Sequence, residues 1–217
     1  MIKVTNLEFD IGEKNILSEI NIKLERGKIN AIIGQNGSGK TTLLKLLSGD
    51  YKASGGSVFY GNHNIKSLNT SDLARRRSVL EQIMSSGFPF TGKQILELCP
   101  FPFTHKEFDK VVAEFTLEPL LYKNISTMSG GEFQRLHAAR VYLQAFTCST
   151  EGHCIFLDEP TSALDLGYEI RVIDSFQKLA KEKNYIICGI TNPSSGSVFI
   201  DGYDISRNFR EIGRAHV

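Results

Sequence analysis

Apolar positions alternate with polar ones over the first thirty or so residues: Ile2, Val4, Leu7 and Phe9, then Ile16, Ile20, Ile22 and Leu24. This period of two predicts antiparallel strands that turn at Gly12 and form a small β-layer. The run from Ile29 to Ile33 predicts a short buried strand, followed by a glycine-rich loop and a helix from about Lys40 to Ser48 that Gly49 can end. Ser54 to Tyr60 resumes strand character. From roughly Leu80 to Leu143 the pattern is mostly helical, interrupted by Pro89, Pro100, Pro102 and Pro119, and predicts an inserted helical lobe at about residues 83–145. Apolar runs at Cys154 to Leu157 and Tyr185 to Ile190 flank a helix from about Gly167 to Lys183 and close an α/β core.

Composition narrows the classes. The 217 residues carry a formal net charge of +1 with both signs interspersed, so no basic stripe exists to neutralise a nucleic-acid backbone. No apolar run reaches the length of about 18 residues that spans a bilayer, and the N-terminus lacks the features of a secretion signal, so the chain is expected in the cytoplasm. Cys99, Cys148, Cys154 and Cys188 show no C-x-x-C spacing and are expected to be reduced, with Cys154 and Cys188 in the core. His137 and His153 lack metal-ligand spacing and are expected in solvent or packing roles.

The chemistry begins at Gly34. Gly34-Gln35-Asn36-Gly37-Ser38-Gly39-Lys40-Thr41, continued by Thr42, satisfies G-x-x-x-x-G-K-[ST] between an apolar strand and a helix. Glycines let successive N–H groups face inward, the helix start adds partial positive charge, and Lys40 supplies a full one, so a polyphosphate such as that of ATP fits. Thr41 offers a hydroxyl to a bridging Mg²⁺. Cys154-Ile155-Phe156-Leu157-Asp158-Glu159 is an apolar strand ending in two carboxylates, which suits Asp158 to the metal and Glu159 to polarising a water. Acidic pairs after strands also serve as helix caps. Between the two lies Met128-Ser129-Gly130-Gly131-Glu132, opening a predicted amphipathic helix with Phe133, Leu136, Ala139, Leu143 and Phe146. Its N–H groups and hydroxyl can meet an anion, although a capped helix start with no ligand would look the same.

MSGGE resembles the LSGGQ signature of ATP-binding cassette (ABC) proteins, and Ser162-Ala163-Leu164-Asp165 resembles the loop that follows the acidic pair in that family. The resemblance covers residues 1 to about 190. It implies an α/β P-loop NTPase core with an N-terminal antiparallel β-layer and an inserted helical lobe. It also implies ATP and Mg²⁺ as cofactors, and a dimer in which Ser129, Gly130, Gly131 and Glu132 of one copy cap the nucleotide held by Lys40 of the other. Gln82 matches the glutamine that reaches the metal and couples ATP to transmembrane permease subunits at the cytoplasmic face of the membrane. A narrower likeness, carried by Ala74-Arg75-Arg76-Arg77-Ser78-Val79-Leu80 and Phe88-Pro89-Phe90-Thr91, is to ATPases of haemin importers, with iron-siderophore and cobalamin importers sharing parts of it. The transported substrate would not touch this subunit.

Several positions depart from the family. Ile11, with Phe9 two residues earlier, stands where an aromatic ring stacks on adenine; Glu81 replaces a proline and Glu132 a glutamine. After Ile190 the family has a histidine and an aspartate, whereas this chain has Thr191-Asn192-Pro193. Ser194 to Ile205 then repeats the sense of Ser54 to Ile65, and Glu211-Ile212-Gly213-Arg214-Ala215-His216-Val217 is the translation of a widely used sequencing adapter. The cassette is therefore expected to span residues 1–190, and residues 191–217 to be a non-native or divergent tail, with hydrolysis impaired by the missing histidine.

Overall fold

The computed structural model describes residues 1–82, 89–190, 199–200 and 203–204. Strand β1 (Ile2–Ile11) turns at Gly12, φ 60°, into β2 (Lys14–Leu24), an antiparallel pair. β3 (Lys28–Ile32) leads through the glycine-rich loop to α1 (Lys40–Ser48), which Gly49 ends in the left-handed conformation, φ 79°. β4 (Gly55–Tyr60) and β5 (His63–Asn64) follow, then α2 (Thr70–Arg76), β6 (Arg77–Leu80), α3 (Gly92–Glu97), α4 (His105–Glu114) and α5 (Gly130–Thr147). β7 (Cys154–Asp158), α6 (Leu166–Lys183) and β8 (Ile186–Ile190) complete the core, and β9 (Phe199–Ile200) and β10 (Tyr203–Asp204) form a separate ribbon.

Two sheets face each other. The antiparallel layer runs β2-β1-β4-β5 and the parallel sheet β3-β8-β7-β6. β7 shows why they stack. All five of its residues are buried, and its side chains alternate between two cores. Cys154 and Phe156 join Leu44, Leu47 and Cys188 beneath the antiparallel layer, whereas Ile155 and Leu157 join Leu136, Phe176 and Ile187 on the helical side. Burying Phe156 completely contributes about 2 kcal/mol or more. Arg77 on β6 donates to Asp50 at 2.8 Å, pinning the end of α1 to the sheet.

Three expectations change. β3 is the edge of the parallel sheet among the described residues, so it is not a buried strand: Ile29 is 36% exposed. β6 ends where the helical pattern is expected to begin and lies in no predicted element, because four residues are too few to show a period. α5 is buried on nearly all sides from Arg135 to Ala145 rather than amphipathic, being packed by α3, α4, α6 and β6. Cys148 is as buried as Cys154 and Cys188.

All four cysteines are free thiols, and burial pushes those of Cys154 and Cys188 up to about 12. His137 packs on Phe133 at 4.3 Å. His153 is wholly buried, within 2.8 Å of the Ser78 hydroxyl and 3.2 Å of the Arg75 carbonyl oxygen, and burial pushes its pKa down to about 4. Both take packing roles.

The readings that rest on Phe88 and on residues 191–198, 201–202 and 205–217, the Glu211 to Val217 run among them, lie outside the described residues. In the described part of the tail, Phe199 pairs with Asp204 and Ile200 with Tyr203. Phe59 with Asn64 and Tyr60 with His63 make the same register in β4–β5, in line with the repeat seen in sequence.

Candidate functional site

The loop between β3 and α1 curls over the start of α1. Gly37 and Gly39 have φ of 80° and 91°, values that a side chain strains to adopt, and a Cβ on Gly39 would meet Leu17 at 2.9 Å. The Ser38 N–H donates to the Gln35 carbonyl at 3.2 Å, which closes the curl. Gly39 caps α1 with no side-chain hydrogen bond, and no acidic residue sits in the first turn. The positive end of this helix therefore has no acid of its own, and the carboxylate that meets its first turn is Asp158, bonded by the Thr41 hydroxyl. Lys40, 9% exposed, folds back so that Nζ donates to the carbonyls of Gly34 at 2.7 Å and Gln35 at 2.9 Å.

A cavity of about 540 Å³ opens beside this loop, lined among others by Asn36, Lys40, Thr41, Thr42, Gln82 and Glu159. Asp158, 4% exposed, closes β7 behind it. Burial raises the Asp158 carboxyl pKa, Glu159 adds to the rise, and the Thr41 hydroxyl together with Lys45 and Lys40 opposes it. Its Oδ1 is buried with no hydrogen-bond partner. An orphaned carboxylate oxygen next to a threonine hydroxyl is a donor set that a hard divalent cation fits. Gln82 Nε2 donates to Glu159 Oε2 at 2.8 Å, so the predicted metal-side glutamine and the predicted base meet.

Glu159 has φ 48°, a left-handed conformation that costs about 1–2 kcal/mol for a residue with a side chain. Its N–H donates to the Ile190 carbonyl at 3.2 Å, and its carbonyl accepts from Gln134 Nε2 at 2.7 Å. Gln134 carried no role in the sequence reading, and its spacing alone gave no signal.

Residues 129–132 lie elsewhere. None lines this cavity. Ser129 caps α5 through a complete capping box: its hydroxyl accepts from the Glu132 N–H, and the Glu132 carboxylate accepts from the Ser129 N–H at 2.7 Å and from Lys123 at 2.7 Å. That ion pair and the N–H hold the Glu132 carboxyl below its usual pKa. Gly130 and Gly131 pack on Ala163, whose carbonyl oxygen lies 2.8 Å from where a Cβ on Gly131 would sit. Neither candidate for the adenine contact lines the cavity. Ile11 is 59% exposed, Phe9 stacks on Tyr51 at 5.5 Å, and the apolar wall is Ile16.

Comparison with known proteins shows the family and the fold. The protein-family profile described as ABC transporter matches residues 17–162. The hemin import ATP-binding protein of Rhodopseudomonas palustris is 33% identical over 199 residues, covering 89% of this chain and 76% of the relative. That of Agrobacterium fabrum is 32% identical over 207 residues, covering 93% and 80%. Two solved structures share the fold. The ATP-binding subunit of an ABC transporter superposes with a TM-score of 0.75 at 20% identity, over 88% of this chain and 79% of that one. A dimeric, post-hydrolysis ATP-binding cassette bound to ADP and phosphate gives 0.73 at 22%, over 88% of each. Among the described residues no helix is long and apolar enough to cross a membrane.

Proposed function

This chain belongs to the ABC transporter family, and on that premise we propose that it is the ATP-binding and hydrolysing subunit of an importer whose permease carries haemin. The single observation that carries the nucleotide reading is the convergence of Lys40, Thr41, Gln82 and Glu159 on one cavity, with the orphaned oxygen of Asp158 behind it. The names of the relatives carry the cargo.

In this reading the N–H groups of residues 34–42 hold the β- and γ-phosphates, and Ile16 offers apolar surface to the base. Lys40 exchanges its bonds to the Gly34 and Gln35 carbonyls for phosphate oxygens. Thr41, Asp158 and Gln82 would hold Mg²⁺, which neutralises charge between the β- and γ-phosphates when bound. Glu159 accepts the proton of the attacking water, and Gln82 orients its carboxylate. Because residues 129–132 do not reach the cavity of their own chain, we assign them to the nucleotide of a second copy. The dimer sits at the cytoplasmic face against its permease, and no residue of this chain contacts the cargo. Thr191 and Asn192, where the family has a histidine, would make turnover slow.

Two measurements test the proposal. Purified protein should release phosphate from ATP only with Mg²⁺ present; release at an equal rate in chelator would remove the metal assignments. Expression in a bacterium lacking the ATPase of its own haemin importer should restore growth on haemin as sole iron source. Rescue of a siderophore or cobalamin importer mutant instead would reassign the cargo.

A further inference from the structure

Gln134 stands one turn into α5, and its amide is engaged on both atoms. Nε2 donates to the Glu159 carbonyl at 2.7 Å and to the Ser162 hydroxyl at 3.1 Å, while Oε1 accepts from the Ala163 N–H at 2.7 Å. Glu159 is held at φ 48° immediately before Pro160, where the backbone is restricted further. Its N–H is tied to β8 and its carbonyl to α5. Ser162 also donates to that carbonyl, from its N–H at 3.4 Å and its hydroxyl at 3.3 Å, and Gln82 holds the carboxylate at 2.8 Å; of these partners Gln134 is the one that comes from α5. Gly131, three residues earlier, lets the loop at Ala163 press against the start of α5, so the contact has no slack.

We propose that Gln134 is a positioning residue: it fixes the carboxylate of Glu159 and joins it mechanically to the Ser129–Gly131 loop at the start of the same helix. The inference rests on the reading of Glu159 as base and of residues 129–132 as the cap on a second copy's nucleotide. A shift of that loop on meeting the second copy's phosphate moves Gln134, and Gln134 moves Glu159.

Gln134→Glu and Gln134→Leu separate this role from simple support. The glutamate keeps an acceptor for the Ala163 N–H and loses the donor to the Glu159 carbonyl; the leucine loses both. ATP affinity, single-turnover hydrolysis with protein in excess, and amide exchange at Ala163 are measured for the parent, both variants and Glu159→Gln. Expected is a fall in the hydrolysis rate of about 10-fold or more in both Gln134 variants, with ATP affinity within about twofold of the parent. Ala163 should stay protected in Gln134→Glu and exchange fast in Gln134→Leu. Hydrolysis by Gln134→Glu at the parent rate, with Glu159→Gln inactive, would overturn this inference and leave the base intact. Affinity falling in step with rate would make Gln134 a support only and also overturn it. Parent-rate hydrolysis by Glu159→Gln would remove the base itself, and the inference with it.

Discussion

Helices α1 and α5 both begin at glycines, yet their starts are opposites. The start of α1 has a glycine cap, no side-chain bond and no acid in its first turn, and it opens on a cavity. The start of α5 has Ser129 and Glu132 bonded to each other's N–H groups, with Lys123 on the carboxylate. A helix that leaves its first N–H groups open next to a lysine holds a place for an anion. One with a capping box of its own holds together without a ligand. In the function proposed above, one loop binds on its own, whereas the other acts once a second surface arrives.

Four substitutions sharpen that contrast, the largest effect first. Lys40→Ala should cost ATP affinity about 100-fold or more, because the cradle loses its full positive charge; unchanged binding by calorimetry would break the assignment of α1. Glu159→Gln should leave binding intact and lower turnover about 100-fold or more, and an ATP-bound dimer should accumulate in size-exclusion chromatography.

Asp158→Asn comes next. Burial raises the Asp158 pKa, so the stability that this group contributes is present at low pH and is lost as pH rises through its folded value. Removing the charge should stabilise the nucleotide-free protein at neutral pH and abolish the gain in ATP affinity from Mg²⁺. Urea unfolding and ATP titration with and without Mg²⁺ read the two effects; a destabilised variant would mean that the Thr41 bond to the carboxylate outweighs the cost of burying it. Ser129→Ala should cost about 1 kcal/mol in urea unfolding through the lost cap, with ATP binding to the monomer unchanged. Weakened monomer binding would place that loop at its own chain's nucleotide.

What was legible in the sequence was contiguous. The run from Gly34 to Thr42 and the strand from Cys154 to Glu159 declare themselves because each function sits in neighbouring residues, and α1 begins and ends where the pattern predicts. Burial was less legible, since it depends on what lies alongside: Ile29 looks like a core residue until β3 is placed at an edge. The link from Gln134 to Glu159 spans 25 positions and uses a backbone carbonyl, which no side-chain pattern encodes. Ile16 at the cavity wall escaped notice because it looks like any other strand residue.

The edge position of β3 bears on how the protein behaves in a test tube. Among the described residues β3 is flanked on one side only, and such a strand keeps a row of peptide groups able to accept a further strand. Two side chains blunt this: Lys28 keeps a charge on the strand, paired with Glu25 at 2.6 Å, and Asn30 turns its amide onto the Glu25 and Ile187 carbonyls. Replacing either with an aliphatic residue would leave the site chemistry intact and shorten the shelf life of the preparation.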